Sequence, residues 1–378
     1  MLPYVLLMFV PLLFSFISFR SSFTEYNGKW SVSLGKKREI LEHSCLIPVF
    51  FMILIVIMAL RDISVGNDLR NYRSYFDFYS SVTPQYIIER ERVDALYWLL
   101  TWLIAQITDS YQVFLTIVAL MILLPMAIIY AQDRRHGFLK IVLFMNMSTF
   151  VMLFSGLRQA IAMTLGLIAF ECAKKKHFWR FLLVALIGMG FHHTAFMILA
   201  IYPLYHVTFK RKHLWLVIPS IILVFIFNKP IFGWATELMN YFLSDKYSAM
   251  AKIEETGAYT MLILFIIFAV FAYIIPDEKQ MDRETLGLRN ILVAAVLLQC
   301  FAPIHMLAMR MNYYFIIFIP ILIPKLLTVV KPNLKDVAGI AKAVMIGFFV
   351  MYYLTTAYRG CQTGHSALGT YPYVPFWQ

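Results

Sequence analysis

Residues 155–205 read SGLRQAIAMTLGLIAFECAKKKHFWRFLLVALIGMGFHHTAFMILAIYPLY, and this stretch decides the class of the chain. Arg158 opens an apolar run that continues to Ala173, and Lys174, Lys175, Lys176 and Arg180 close it. The following run, Phe181–Tyr205, is interrupted near its middle by His192 and His193. A charged side chain at the centre of a membrane helix costs roughly 2.5–3.5 kcal/mol on insertion scales, so an arginine or histidine beside such runs marks a candidate functional site.

The pattern extends outward over all 378 residues, which are 61% hydrophobic and 14% charged, with 16% aromatic residues. A soluble domain carries about a quarter of its residues as charges. The mean hydropathy of +0.72 and the repeated long apolar runs therefore predict an all-α, polytopic helical membrane protein with about 11–13 transmembrane segments. The polar gaps are too short to fold alone, so residues 1–378 are expected to form one integral membrane domain with no soluble catalytic module. Two longer polar stretches, 61–92 and 228–258, are expected as external loops.

The net charge of +12 does not point to nucleic acid, because the lysines and arginines fall in short loops between apolar runs, where they set topology. Alternation of these clusters places Lys174–Arg180, Lys210–Lys212, Asp277–Glu284 and Lys325–Lys335 on the cytoplasmic side. The run Leu2–Phe19 lacks a basic leader and is followed by Arg20, Lys36, Lys37 and Arg38, so it is expected to be an uncleaved first helix with its N-terminus outside. Three apolar runs separate the basic segments Arg20–Ser44 and Asp133–Arg135, and both cannot be inside if all three runs cross. Val93–Ile107, short and opened by Asp94, is the weakest and is expected to be re-entrant. Residues Phe181–Tyr205 fit two short or broken helices meeting at the histidines better than one span.

Cys45, Cys172, Cys300 and Cys361 are scattered without metal-ligand spacing and read as lone thiols. There is no HExxH, no GxSxG and no carboxylate cage, so neither a cofactor nor a metal is expected. The remaining chemistry collects on one face. With that topology, Arg61, Asp62, Asp68, Arg158, His192 and Arg310 all approach the face away from the lysine clusters. Arginines there run against the usual placement of positive charge, and their planar donors match a phosphate or pyrophosphate in two-point fashion. An imidazole with an ordinary pKa near 6.5 accepts a proton from a hydroxyl nucleophile at neutral pH. The aromatic run Tyr72, Tyr75, Phe76, Phe78 and Tyr79 suits an interfacial position or stacking on sugar rings.

These motifs resemble those of the EpsG-type, Wzy-like membrane polysaccharide polymerases of bacteria. Arg61, Val65, Gly66, Asp68 and Tyr72 match an arginine followed by a V-G-x-D-x-x-x-Y run. LRQAIA, with Arg158, Gln159 and Ala162, matches an arginine-led helix, and Phe191, His192, Thr194 and Ala195 match F-H-x-[ST]-A. Arg310, Tyr313, Tyr314, Phe315 and Pro320 match R-x-x-Y-Y-F with a following proline, and Tyr371, Pro372 and Tyr373 a closing Y-P-Y. Asn67 stands where threonine is commoner, and His193 is an extra histidine.

The resemblance implies a glycosyltransferase at the periplasmic face of the bacterial inner membrane that joins undecaprenyl-pyrophosphate-linked oligosaccharide repeat units, as in O-antigen or exopolysaccharide synthesis. It implies His192 as base, with Asp62 and Asp68 as rivals, and Arg158 and Arg310, with Arg61, as the cations at the leaving group. Arg61, Asp62, Tyr72, Gln159, Thr194, Arg310 and Tyr313 would then bind substrate. Its partners would be the lipid-linked glycans, the bilayer and a chain-length regulator, with no nucleic acid. Two other classes need similar residues: a membrane acyltransferase acting on surface sugars, and a flippase for the lipid-linked units. Charge scarce inside the runs and gathered at one face argues for an interfacial reaction over a conducting path.

Overall fold

The computed structural model describes residues 1–20, 34–90, 94–133, 135–243, 258–364 and 366–378, and among them it is a helical protein with no strand beyond two isolated bridges. The expected loop residues 91–92 and 244–257, including Tyr247, lie outside the described residues, as does the side chain of Cys45. Cys172, Cys300 and Cys361 are free thiols. The chain divides into two compact units, residues 1–196 with 336–378 and residues 197–335.

The first unit runs through α1 (Leu2–Arg20), α2 (Leu34–Ala59), α3 (Leu69–Tyr79), α4 (Pro84–Arg90), α5 (Ala95–Ala105), α6 (Tyr111–Tyr130), α7 (Gly137–Asn146), α8 (Ser148–Ser155), α9 (Leu157–Lys174) and α10 (Phe178–Phe191). α6 is long and apolar enough to cross a membrane unaided, whereas α7 and α8 qualify only as one span bent by 63°. Inside the polar stretch 61–92 the chain is largely helical. Leu69, Tyr72, Phe76 and Tyr79 recur at helical spacing and are buried in α3, leaving Tyr75 and Phe78 more than two-fifths exposed. α9 packs against both α6 and α10, and Phe181, Ala185 and Gly188 are the buried residues of α10.

α10 stops at Phe191. His192 is extended, with φ −155° and ψ 126°, and a 3₁₀ helix, His193–Ala200, follows. The break anticipated at the histidines therefore falls at His192.

The second unit contains α11 (Ile201–His206), α12 (Leu214–Ile226), α13 (Asn228–Leu243), α14 (Tyr259–Ile274), α15 (Arg283–Gln299), α16 (Met306–Ile316) and α17 (Ile319–Leu326). The first half of the stretch 228–258 is helical, as α13. Three segments expected on one side of the membrane meet at one end of this unit. Arg289, 1% exposed, pairs with Glu278 at 2.6 Å and donates to Phe209 O at 2.7 Å. Lys325 pairs with Glu284 at 2.8 Å, and Asp277 N donates to Val329 O at 2.7 Å. Buried charges in apolar surroundings need such partners, and here they knit the loops 207–213, 275–282 and 327–331 together.

α18 (Lys335–Thr363) returns the chain to the first unit and is the second helix long and apolar enough to span. Among the described residues, the two self-sufficient helices become five when each of three bent pairs is taken as one span, and five further apolar helices of 10–17 residues accompany them. The molecule is thus polytopic, much of its apolar length being carried by short and broken helices.

Beyond α18, residues 366–378 lie as a strap along the loop 60–69. Gly66 N donates to Gly369 O (2.9 Å), Asn67 N to Leu368 O (3.0 Å), Asp62 N to Val374 O (2.8 Å) and Phe376 N to Leu60 O (3.0 Å). Tyr373 Oη donates to Ile57 O at 3.1 Å, and Tyr4 Oη to Thr370 O. Gly66 has φ +119°, and a Cβ there would lie 2.0 Å from Phe154 O, so both the backbone shape and the close approach require glycine.

Candidate active site

Asp94 is the residue around which the first unit's polar groups gather. It precedes α5 in the left-handed conformation, φ 60° and ψ 30°, which aspartate tolerates better than most residues. Its carboxylate is 1% exposed. Arg158, at the first turn of α9, reaches it with Nη1–Oδ2 at 2.7 Å. His192, at the end of α10, brings Nδ1 to within 3.3 Å of the same oxygen. The backbone N–H of His193 donates to Oδ1 at 2.8 Å, with His193 Nδ1 at 3.5 Å.

Burial alone would raise the Asp94 carboxyl. The hydrogen bonds from His192 and His193 and the Arg158 charge more than reverse this, so the group is held well below the usual carboxylate range.

Aromatic rings frame the guanidinium. Arg158 Cζ lies 5.1 Å from the Trp98 ring centroid and 5.9 Å from that of Tyr72, and Nε is 3.5 Å from Tyr72 Oη. The arginine keeps a third of its side chain exposed while its carboxylate partner is sealed, so the cation faces outward and the anion inward. His192, 6% exposed, has Nδ1 toward Asp94 and Nε2 buried without a hydrogen-bond partner among the described residues. An Nδ1–H donated to the carboxylate leaves Nε2 as the basic nitrogen. The Arg158–Asp94 pair already balances its own charge, so nothing adjacent demands that the imidazole be protonated.

The structure thus brings Arg158, His192 and Tyr72 together, with Asp94, His193 and Trp98. Gln159 and Thr194, 1% and 2% exposed, are buried next to Arg158 and His192 in sequence. Asp68 is half-buried ahead of α3, its N–H donating to Ser155 Oγ at 3.3 Å, four residues before Tyr72. Asp62 accepts from Ser64 N at 2.9 Å; burial opposes the charged form but the Ser64 contacts outweigh it, and the carboxyl sits below its ordinary value.

Arg61, expected at the outer face to bind substrate, lies under the strap. It is 1% exposed beneath the strap, with no hydrogen-bond partner for its guanidinium among the described residues and the Phe154 ring 5.3 Å away. Burial pulls it down to about 10, which still leaves it protonated at neutral pH. Arg310 is exposed on α16 and Tyr313 is buried one turn on, both in the second unit.

Asp94 was not legible as a functional residue, because it stands at the edge of a weak apolar run with no motif around it. Asp94, His192 and His193 are also spaced to hold a metal ion, their candidate ligand atoms lying within 4.8 Å of one another. Arg158 already places a cation 2.7 Å from Asp94 Oδ2, so the donor set fits a hydrogen-bonded relay better than a divalent ion.

No curated protein and no solved structure matches the chain. The model of the EpsG family, however, matches residues 44–374, a span that takes in the C-terminal part of α2, the whole Asp94 cluster, α18 and most of the strap. With those features and that match in hand, the chain belongs to the EpsG family of polysaccharide-polymerase-like membrane proteins.

Proposed function

We propose that this chain is a glycosyltransferase that polymerises oligosaccharide repeat units carried on undecaprenyl pyrophosphate, at the periplasmic face of the bacterial inner membrane. The observation that carries the reading is the shared carboxylate, which draws Arg158 and His192 onto one oxygen and leaves His192 Nε2 without a hydrogen-bond partner among the described residues. The acceptor sugar hydroxyl attacks the anomeric carbon of the donor chain, and the C–O bond to the lipid pyrophosphate breaks. His192 Nε2 takes the hydroxyl proton. Pyrophosphate leaves with the bond electrons, and its charge is met by the exposed part of the Arg158 guanidinium. Asp94 orients the imidazole through Nδ1 and stabilises the imidazolium that forms. Tyr72 and Trp98, both buried beside Arg158, hold its guanidinium in place.

Purified protein in nanodiscs, given lipid-pyrophosphate repeat units, is expected to yield a ladder of longer glycans, unchanged by a chelator. His192→Ala and Arg158→Ala should each lower that rate by about 100-fold or more. A normal ladder from either variant removes that residue from the reaction, and loss of the wild-type ladder on chelation would restore a metal to the Asp94–His192–His193 cluster.

A further inference from the structure

The second unit carries a groove of about 420 Å³ between α12, α14 and α15, within the roughly 300–1,000 Å³ range of ligand-sized pockets. Every residue lining it is aliphatic except Tyr273, and its rim residues Ile218, Ile222 and Val270 are each 51% exposed, so it opens sideways. Such a surface takes hydrocarbon. The polar features are confined to the end where Leu214, Tyr273 and Ile274 lie. There Arg211 Nη2 donates to Tyr273 O and Lys331 Nζ to Ile274 O at 2.7 Å, capping the last turn of α14. Each cation retains further N–H donors. Glu278 is engaged by Arg289 and by Arg211 N, and the Asp277 carboxylate by Lys279 N and Gln280, so both local acids are already occupied.

We infer that this groove holds one acyl chain of an anionic membrane phospholipid whose phosphate sits on Arg211 and Lys331. The polarity matches the ligand: cations for the phosphate at one end, then aliphatic walls for the chain. A zwitterionic lipid fits the walls but carries its own cation to a mouth that already has two. The inference is independent of the proposed reaction, since none of these residues belongs to the Asp94 cluster.

Native mass spectrometry of the full-length protein in detergent, titrated with dioleoyl phosphatidylglycerol, dioleoyl phosphatidylcholine and undecaprenyl phosphate, tests it. A basic residue near a membrane surface contributes about fivefold in affinity for anionic lipid, so two predict a preference for phosphatidylglycerol of about 25-fold. Arg211→Gln with Lys331→Gln should erase that preference, and Val270→Trp should abolish retention of both phospholipids. Lys331→Gln alone, which leaves the Arg211 contacts in place, should lower the preference about fivefold and covers the case in which the double variant misfolds. Equal retention of the two phospholipids, a preference that survives both glutamines, or displacement of phosphatidylglycerol by undecaprenyl phosphate at lower concentration would overturn the assignment.

Discussion

Asp94 ties together residues that are 64 and 98 positions away in the chain. Replacing it with asparagine keeps the shape but removes the charge that balances Arg158 and orients His192. Polymerisation by Asp94→Asn should fall by about 10²–10⁴-fold, as when an orienting carboxylate is lost elsewhere, while insertion in the membrane is kept. The acid sensitivity of the fold supplies a second readout. Because the folded carboxyl titrates below its unfolded value of about 3.9, its stabilising contribution is complete well above that pH and is lost progressively as the pH falls below it toward the folded value. Thermal unfolding followed from pH 7 to pH 3 should therefore show a steeper acid loss in wild type than in Asp94→Asn. Equal slopes would mean that the Arg158 and histidine contacts do not hold the carboxylate as described.

The partners of Asp94 were legible and Asp94 was not. Arg158 and His192 stand out as polar interruptions of apolar runs, and each sits in a recognisable short motif. A lone aspartate at the start of an eleven-residue helix looks like a loop residue until the fold brings α9 and α10 onto it. Arg61 shows the reverse failure. An arginine at the end of a span reads as outward-facing, and nothing local reveals that residues more than 300 positions later cover it.

Among the helices, the α5–α10 contact sets the distance from Asp94 to His192. Gly190 lies two residues before His192 and Leu96 two after Asp94, and a Cβ on Gly190 would sit 2.5 Å from Leu96 Cδ1 and 2.7 Å from Cγ. The glycine therefore allows the two helices to approach, and a branched residue there forces them apart. Gly190→Val is expected to reduce polymerisation by about 10-fold or more, since positioning errors of about 1 Å cost as much as 100-fold. Leu96→Ala, which removes the obstructing atoms, should restore much of the loss in the double variant. A double variant no better than Gly190→Val would show that this contact does not set the spacing. Helix positions were mostly readable from the alternation of apolar and basic runs, but α3 and α13 sit in stretches whose polarity concealed a helix. In α3 the buried face is carried by tyrosine and phenylalanine rather than aliphatic residues, so the apolar periodicity is muted.

Over the whole molecule, the described chain consists of two compact units, the first closed by α18 and the strap. The strap contributes four backbone hydrogen bonds to the loop 60–69, each worth roughly 1 kcal/mol net. Removing residues 366–378 should lower the melting temperature by several degrees and open the loop to protease near Arg61 and Arg70, with α1–α10 still inserted. Limited proteolysis in nanodiscs measures this directly, and an unchanged digestion pattern would mean that the loop holds its form alone.

The same closure has a consequence for biogenesis. Tyr4 and Thr370 are 366 residues apart and Ile57 and Tyr373 are 316 apart, yet each pair is joined by a hydrogen bond. The loop ahead of α3 leaves the ribosome long before the segment that secures it, so its final form must wait until translation has passed Phe376. A nascent chain stalled within α18 would carry every helix of the Asp94 cluster and still lack the clasp that holds Asp62, Gly66 and Asn67.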